Sequence, residues 1–186
     1  MRMRSIAILR PAAAAAVVLA LCGGCATQGA MHAATTIATP VATPVVRTAL
    51  LGSDFPISAA VTVPSGFDTV YLSGALPPVI NKDAPKGSVA AYGDTETQAT
   101  GALTSLQATL ARLGLGMGDV VKMTVFMVAD PTKDNKLDFA GLMAAYTKFF
   151  GTPAQPNKPA RSAVQVAALV APGALVEIEV IAAKPR

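Results

Sequence analysis

The 186-residue chain carries fifteen Lys and Arg against eleven Asp and Glu, a formal net charge of +4 at pH 7, with one histidine, two cysteines and no tryptophan. Arg2, Arg4 and Arg10 supply three of those bases, and without residues 1–24 twelve bases face eleven acids, a net of +1. That balance gives no electrostatic footprint for nucleic acid. Cys22, Cys25 and His32 all precede residue 33, so the globular part is expected to lack disulfides, a cysteine nucleophile, a thiolate or zinc site, and histidine-based catalysis.

Residues 1–24 read as an export signal, with a positive start and an apolar run from Pro11 to Leu21 that is too short to span a bilayer. Leu21-Cys22-Gly23-Gly24-Cys25-Ala26 resembles a bacterial lipobox, with Cys25 as the lipidated first residue of the mature protein. Cys22 stands where an aliphatic residue is usual. Cleavage near Met31-His32-Ala33 and an uncleaved anchor are the alternatives. The expected location is periplasmic, membrane-anchored if Cys25 carries lipid. Residues 25–50, rich in Ala, Thr and Pro, read as a flexible tether, and the domain is expected over 51–186.

Two β-rich runs, Ile57 to Val63 and Thr69 to Ser73, flank Pro64-Ser65-Gly66, a hairpin signal. Residues 81–93 read as a loop with room for a short edge strand. Asp94 is placed to cap a helix whose Ala99, Ala102, Leu103, Leu106, Leu110 and Leu113 form one apolar stripe, ended by Gly114 and Gly116. Val120 to Val128 is an apolar strand, and a second helix is expected over 137–150. Two closing strands, Ala160 to Ala168 and Leu175 to Ala183, are joined by a turn at Pro172-Gly173. Two helices cover one face of such a sheet. The other face is expected to carry Arg161, Gln165, Glu177 and Glu179, as an oligomer interface would require.

Arg161 is the one cation inside an otherwise uncharged strand pattern, just after Pro159, which cannot donate to a sheet ladder. It stays cationic at any working pH and presents a fork of donors suited to a carboxylate. The competing reading is an edge-strand arginine in water or in an ion pair with Glu177 or Glu179. Ser73 has no histidine to activate it as a nucleophile. Gly114, Gly116 and Gly118 follow a helix instead of opening one, so they read as a turn and not a phosphate loop.

The order of elements, together with Leu72-Ser73-Gly74-Ala75-Leu76-Pro77, the run from Gly114 to Phe126, Tyr146 with Phe149-Phe150, Pro159-Ala160-Arg161-Ser162 and the run from Val176 to Ala182, resembles the reactive intermediate deaminase family (RidA/YjgF-like) over roughly residues 55–184. The resemblance implies an α+β, chorismate-mutase-like fold: one mixed sheet with two helices on one face, forming a homotrimer with a pocket between subunits. It implies a hydrolase of the 2-iminobutanoate/2-iminopropanoate deaminase type, without cofactor or metal, that turns small 2-imino (enamine) acids into 2-oxo acids and ammonia. Carried over by position, Arg161 would grip the substrate carboxylate and Glu177 would assist the water. Ser73 and Gly74 would line the pocket. Ile57, Met143 and Ala163 stand where many active members carry tyrosine, asparagine and cysteine. A non-catalytic module of the same fold, binding a small carboxylate or a protein in the periplasm, is the alternative. A ribonuclease, as some relatives are described, suits neither the charge nor the export signal.

Overall fold

A computed structural model describes residues 43–186. The export signal, Cys25 and most of the expected tether lie outside these residues. The described elements are β1 (Val46–Ala49), β2 (Ser58–Thr62), β3 (Phe67–Ala75), a single-turn α1 (Val89–Tyr92), α2 (Thr95–Arg112), a 3-10 turn (Met117–Asp119), β4 (Val120–Met127), α3 (Phe139–Tyr146), β5 (Ala160–Gln165) and β6 (Val176–Pro185). They form one six-stranded mixed sheet in the order β1-β2-β5-β4-β6-β3.

β4 takes the middle because its alternate residues bury best. Met123, Val125 and Met127 are fully buried under the helices. Its parallel neighbour β5 returns through α3, the crossover that a parallel pair needs. β6 runs antiparallel along the other side of β4 and carries β3 beyond it. The stripe of α2 is buried as its spacing requires, with Ala99, Ala102, Leu103 and Leu110 at 0% exposure, and the helix packs on α3, β6 and β3. Asp94 caps it by accepting from Thr97 N–H at 2.9 Å, and Asp138 caps α3 by accepting from Gly141 N–H at 2.9 Å. Gly114, at φ +75°, turns the chain so that Leu115 N–H donates to Leu110 C=O at 2.9 Å and the Leu115 side chain joins the core. Leu113 is left 41% exposed.

Three expectations need correction. β2 and β3 are strands but not a hairpin, because both edges of β2 are taken, one by β1 and the other by β5 through Ser58 and Ala160. β1 itself lies inside the segment read as tether, so the sheet begins before residue 51. Residues 89–92 form a helical turn instead of an edge strand. Among the described residues no helix is long and apolar enough to cross a membrane.

Candidate functional site

Register decides where each candidate side chain points. Arg161 pairs with Met123, and Met123 with Val180, so Arg161 lies on the face covered by the helices. Glu177 pairs with Phe126, which pairs with Val164, and these lie on the face away from the helices. The sequence expectation that Arg161 and Gln165 share a face with Glu177 and Glu179 is therefore wrong. The error is one of parity: alternation within a strand is legible, but which alternate set faces the helices depends on the neighbour's register. Within one chain, the competing ion pair between Arg161 and Glu177 or Glu179 is excluded for the same reason.

On the helix face, the Arg161 guanidinium carbon lies 4.3 Å from the centroid of Tyr146, 5.5 Å from that of Phe55 and 5.7 Å from that of Phe139. Phe55 and Phe139 stack on one another at 6.2 Å. Nη2 donates to the Met143 sulfur at 3.3 Å, a weak acceptor, and Nη1 is buried with no acceptor among the described residues. Burial lowers the guanidinium's pKa, with the Tyr146 hydroxyl opposing; the group nonetheless stays cationic. The Tyr146 hydroxyl donates to Pro56 C=O at 2.8 Å, and burial raises its pKa to about 12 against the pull of Arg161 and Arg47.

The start of β5 is held from three sides. Lys158 C=O accepts from Ser58 Oγ at 2.6 Å and from Arg47 Nη1 at 2.9 Å, while Ser58 N–H donates to Pro159 C=O at 3.0 Å. Arg47 also donates to Gly118 C=O at 2.7 Å and to Val120 C=O at 3.0 Å, which fixes β1 to the turn before β4.

On the opposite face, β3 bulges between Leu72 and Ala75, so that Ser73 and Gly74 together oppose the single residue between Ile178 and Val180. The Glu177 carboxylate packs over Gly74, where any Cβ would collide with Oε1. Glu177 also lines a shallow cleft of about 300 Å³ with Phe126, Val166, Leu169 and Val170. Ser73 and Gly74 border a second cleft of about 370 Å³ against Ser105 and Thr109 of α2. Glu179 is exposed beside Thr124.

The fold thus sets Glu177 against Gly74, leaves Ser73 on the separate cleft beside α2, and puts Arg161 on the other side of the sheet. Sequence reasoning missed Arg47, which fell in the supposed tether, and the contact of Tyr146 with Arg161. Phe139 and Tyr146, seven residues apart on one helix face, were the available signal for the aromatic wall. No cluster of three or more His, Cys, Asp or Glu side chains able to hold a metal occurs among the described residues.

The model for the family described as Endoribonuclease L-PSP matches residues 54–184. A RutC family protein of Haemophilus influenzae is 42% identical over 91 residues, 49% of this chain and 65% of that protein, so the chain spans just under two thirds of this relative's length. The 2-iminobutanoate/2-iminopropanoate deaminase of Salmonella typhimurium is 39% identical over 115 residues, covering 62% of this chain and 79% of the relative. Among solved structures, a Rid-family protein of unknown function from Yersinia pestis superposes with a TM-score of 0.55 at 25% identity, over 75% of this chain and 96% of that one. The sheet and its two longer helices have the chorismate-mutase-like arrangement of that family.

Proposed function

The chain belongs to the Endoribonuclease L-PSP family, the RidA/YjgF-like proteins, and from that membership we propose that it hydrolyses small reactive 2-imino acids to 2-oxo acids and ammonia. The observation that carries the reading is Arg161. A half-buried cation with one donor unsatisfied and no ion pair among the described residues weighs against folding. A substrate carboxylate lying in the guanidinium plane would offset that cost with two parallel charge-assisted hydrogen bonds.

In the proposed reaction, water adds its oxygen to the imine carbon while Glu177 takes a proton from it and the imine nitrogen gains one. The resulting carbinolamine loses its C–N bond, ammonia leaves, and the C=O bond forms. One imino acid and one water give one oxo acid and one ammonia. Because Arg161 and Glu177 lie on opposite faces of one sheet, they converge on one substrate only if a second copy supplies Glu177, with Ser73 and Gly74. The homotrimer with a pocket between subunits is therefore part of the proposal. So is export, with Cys25 lipidated; Cys25→Ala should move the protein out of the membrane fraction.

Subunit complementation tests the reading. With 2-aminoacrylate generated in place, Arg161→Ala and Glu177→Gln should each lose turnover. Random mixed oligomers of the two should regain about a quarter of the wild-type rate, because each site draws its two halves from separate chains. An Arg161→Ala protein as fast as wild type refutes the proposal, and no recovery on mixing refutes the composite site. Carboxylate binding that depends on Arg161 without any product selects the non-catalytic module. The walls of the Arg161 site in one chain, where the one hydroxyl, on Tyr146, is committed to Pro56 C=O, favour that second reading. Cleavage of RNA, for which the near-neutral charge balance beyond residue 24 gives no electrostatic footprint, would reject both.

A further inference from the structure

The walls around Arg161 say what should be attached to the carboxylate it holds. Three aromatic rings surround the guanidinium, and the single hydroxyl among them, on Tyr146, is committed to Pro56 C=O at 2.8 Å. The remaining close neighbour is the Met143 thioether. None of Phe55, Phe139 or Met143 can satisfy a hydroxyl or amide on a ligand, and a polar group left unpaired there would be penalised. Phe139, at the first turn of α3, is 40% exposed, and Phe55, stacked on it, is partly exposed. Their exposed apolar surface adjoins the guanidinium.

Building on the deaminase reading, we propose that among 2-imino acids those with branched-aliphatic or aromatic side chains are turned over fastest, ahead of those with one- or two-carbon side chains. The carboxylate enters in the plane of the guanidinium and displaces nothing stronger than the N–H···S contact. The side chain then lies against Phe139 and Phe55, while Tyr146 keeps the guanidinium flat from behind. A short side chain leaves those rings in water. A longer apolar one covers them, and a difference of that size is worth about tenfold or more in kcat/KM.

The experiment generates imino acids from leucine, phenylalanine, alanine and serine with an amino-acid oxidase, in the presence of semicarbazide as a trap. It reads oxo acid formed beyond the spontaneous rate. The expected result is a kcat/KM at least tenfold higher for the leucine and phenylalanine products, with the ratio reduced about tenfold in Phe139→Ala. Equal rates, or preference for the alanine or serine product, overturn the inference while leaving the deaminase reading intact. A parallel titration compares the unreactive keto acids 4-methyl-2-oxopentanoate and pyruvate on the wild-type protein. Preference for the larger acid there upholds the inference even if no imine is turned over, which would sink the deaminase reading alone. Equal affinity, or no binding of either acid, rejects it.

Discussion

Arg161 can be separated experimentally from the core residues around it. If the guanidinium served stability, removing it would weaken the fold. Its surroundings argue the reverse, because a methionine of similar length could fill the space among Tyr146, Phe139 and Met143 without leaving an unsatisfied donor. Arg161→Met is expected to melt at the wild-type temperature or above it while losing carboxylate binding; a clear fall in Tm would assign the residue to structure. Gly74 offers a complementary test. In Gly74→Ala the new Cβ collides with the Glu177 carboxylate, so kcat should fall by an order of magnitude or so while binding at Arg161 persists. Tyr146 gives a pH signature. Its pKa rises from an ordinary 10.0 to about 12 in the fold, so the folded protein holds the proton longer than the unfolded chain does. Stability from this group is complete below pH 10 and lost as the pH climbs towards about 12. Tyr146→Phe should flatten that part of the alkaline unfolding curve. Arg161 as a carboxylate candidate was legible from its uncharged strand, but the aromatic wall was not. Phe55 reaches it from a loop whose sequence carries no period.

At the level of elements, the strands and helices were legible and their partners were not. Periodicity reports burial of one face, whereas pairing depends on which edge is already filled. Pro64-Ser65-Gly66 turns the chain as expected, with Gly66 at φ +96°, yet β1 occupies the edge that a hairpin would have needed. β1 was hidden because four residues rich in small or polar side chains, VRTA, show little amphipathicity. Beyond its pairing with β2, it is tied to the sheet by the three carbonyls gathered by Arg47. Arg47→Ala is expected to cost roughly 2–4 kcal/mol by urea unfolding, since it strips a charged donor from partly buried carbonyls. It should also loosen the Lys158–Pro159 entry to Arg161, raising KM more than it lowers kcat. The cap on α2 has its own acid limit. Hydrogen bonds from Thr97 depress the Asp94 pKa below 3.8, so the cap is intact above about pH 4 and fails as the pH falls through the lowered value. Asp94→Ala should remove about 1 kcal/mol and that acid sensitivity with it.

For the whole molecule, the face away from the helices carries Tyr71 at 76% exposure and Val164 at 45%, beside Phe126 and Ile181. These side chains form two apolar pairs, Tyr71–Ile181 and Phe126–Val164, separated by Thr124, Glu179 and Ser162, and exposed apolar surface of this kind is what a second copy would cover. Val164→Lys is expected to yield smaller particles by light scattering and to abolish turnover in the same step. Loss of either one without the other would separate assembly from the reaction. The family and its sheet could be recognised from runs such as Leu72–Pro77 and Val176–Ala182. The division of the site could not, because facing depends on how β4 registers with both neighbours. On the proposed reaction, that division would make catalysis a matter of stoichiometry. A solitary chain would own two unmatched halves, so its rate per molecule should not be constant but should collapse on dilution and return when the solution is concentrated again.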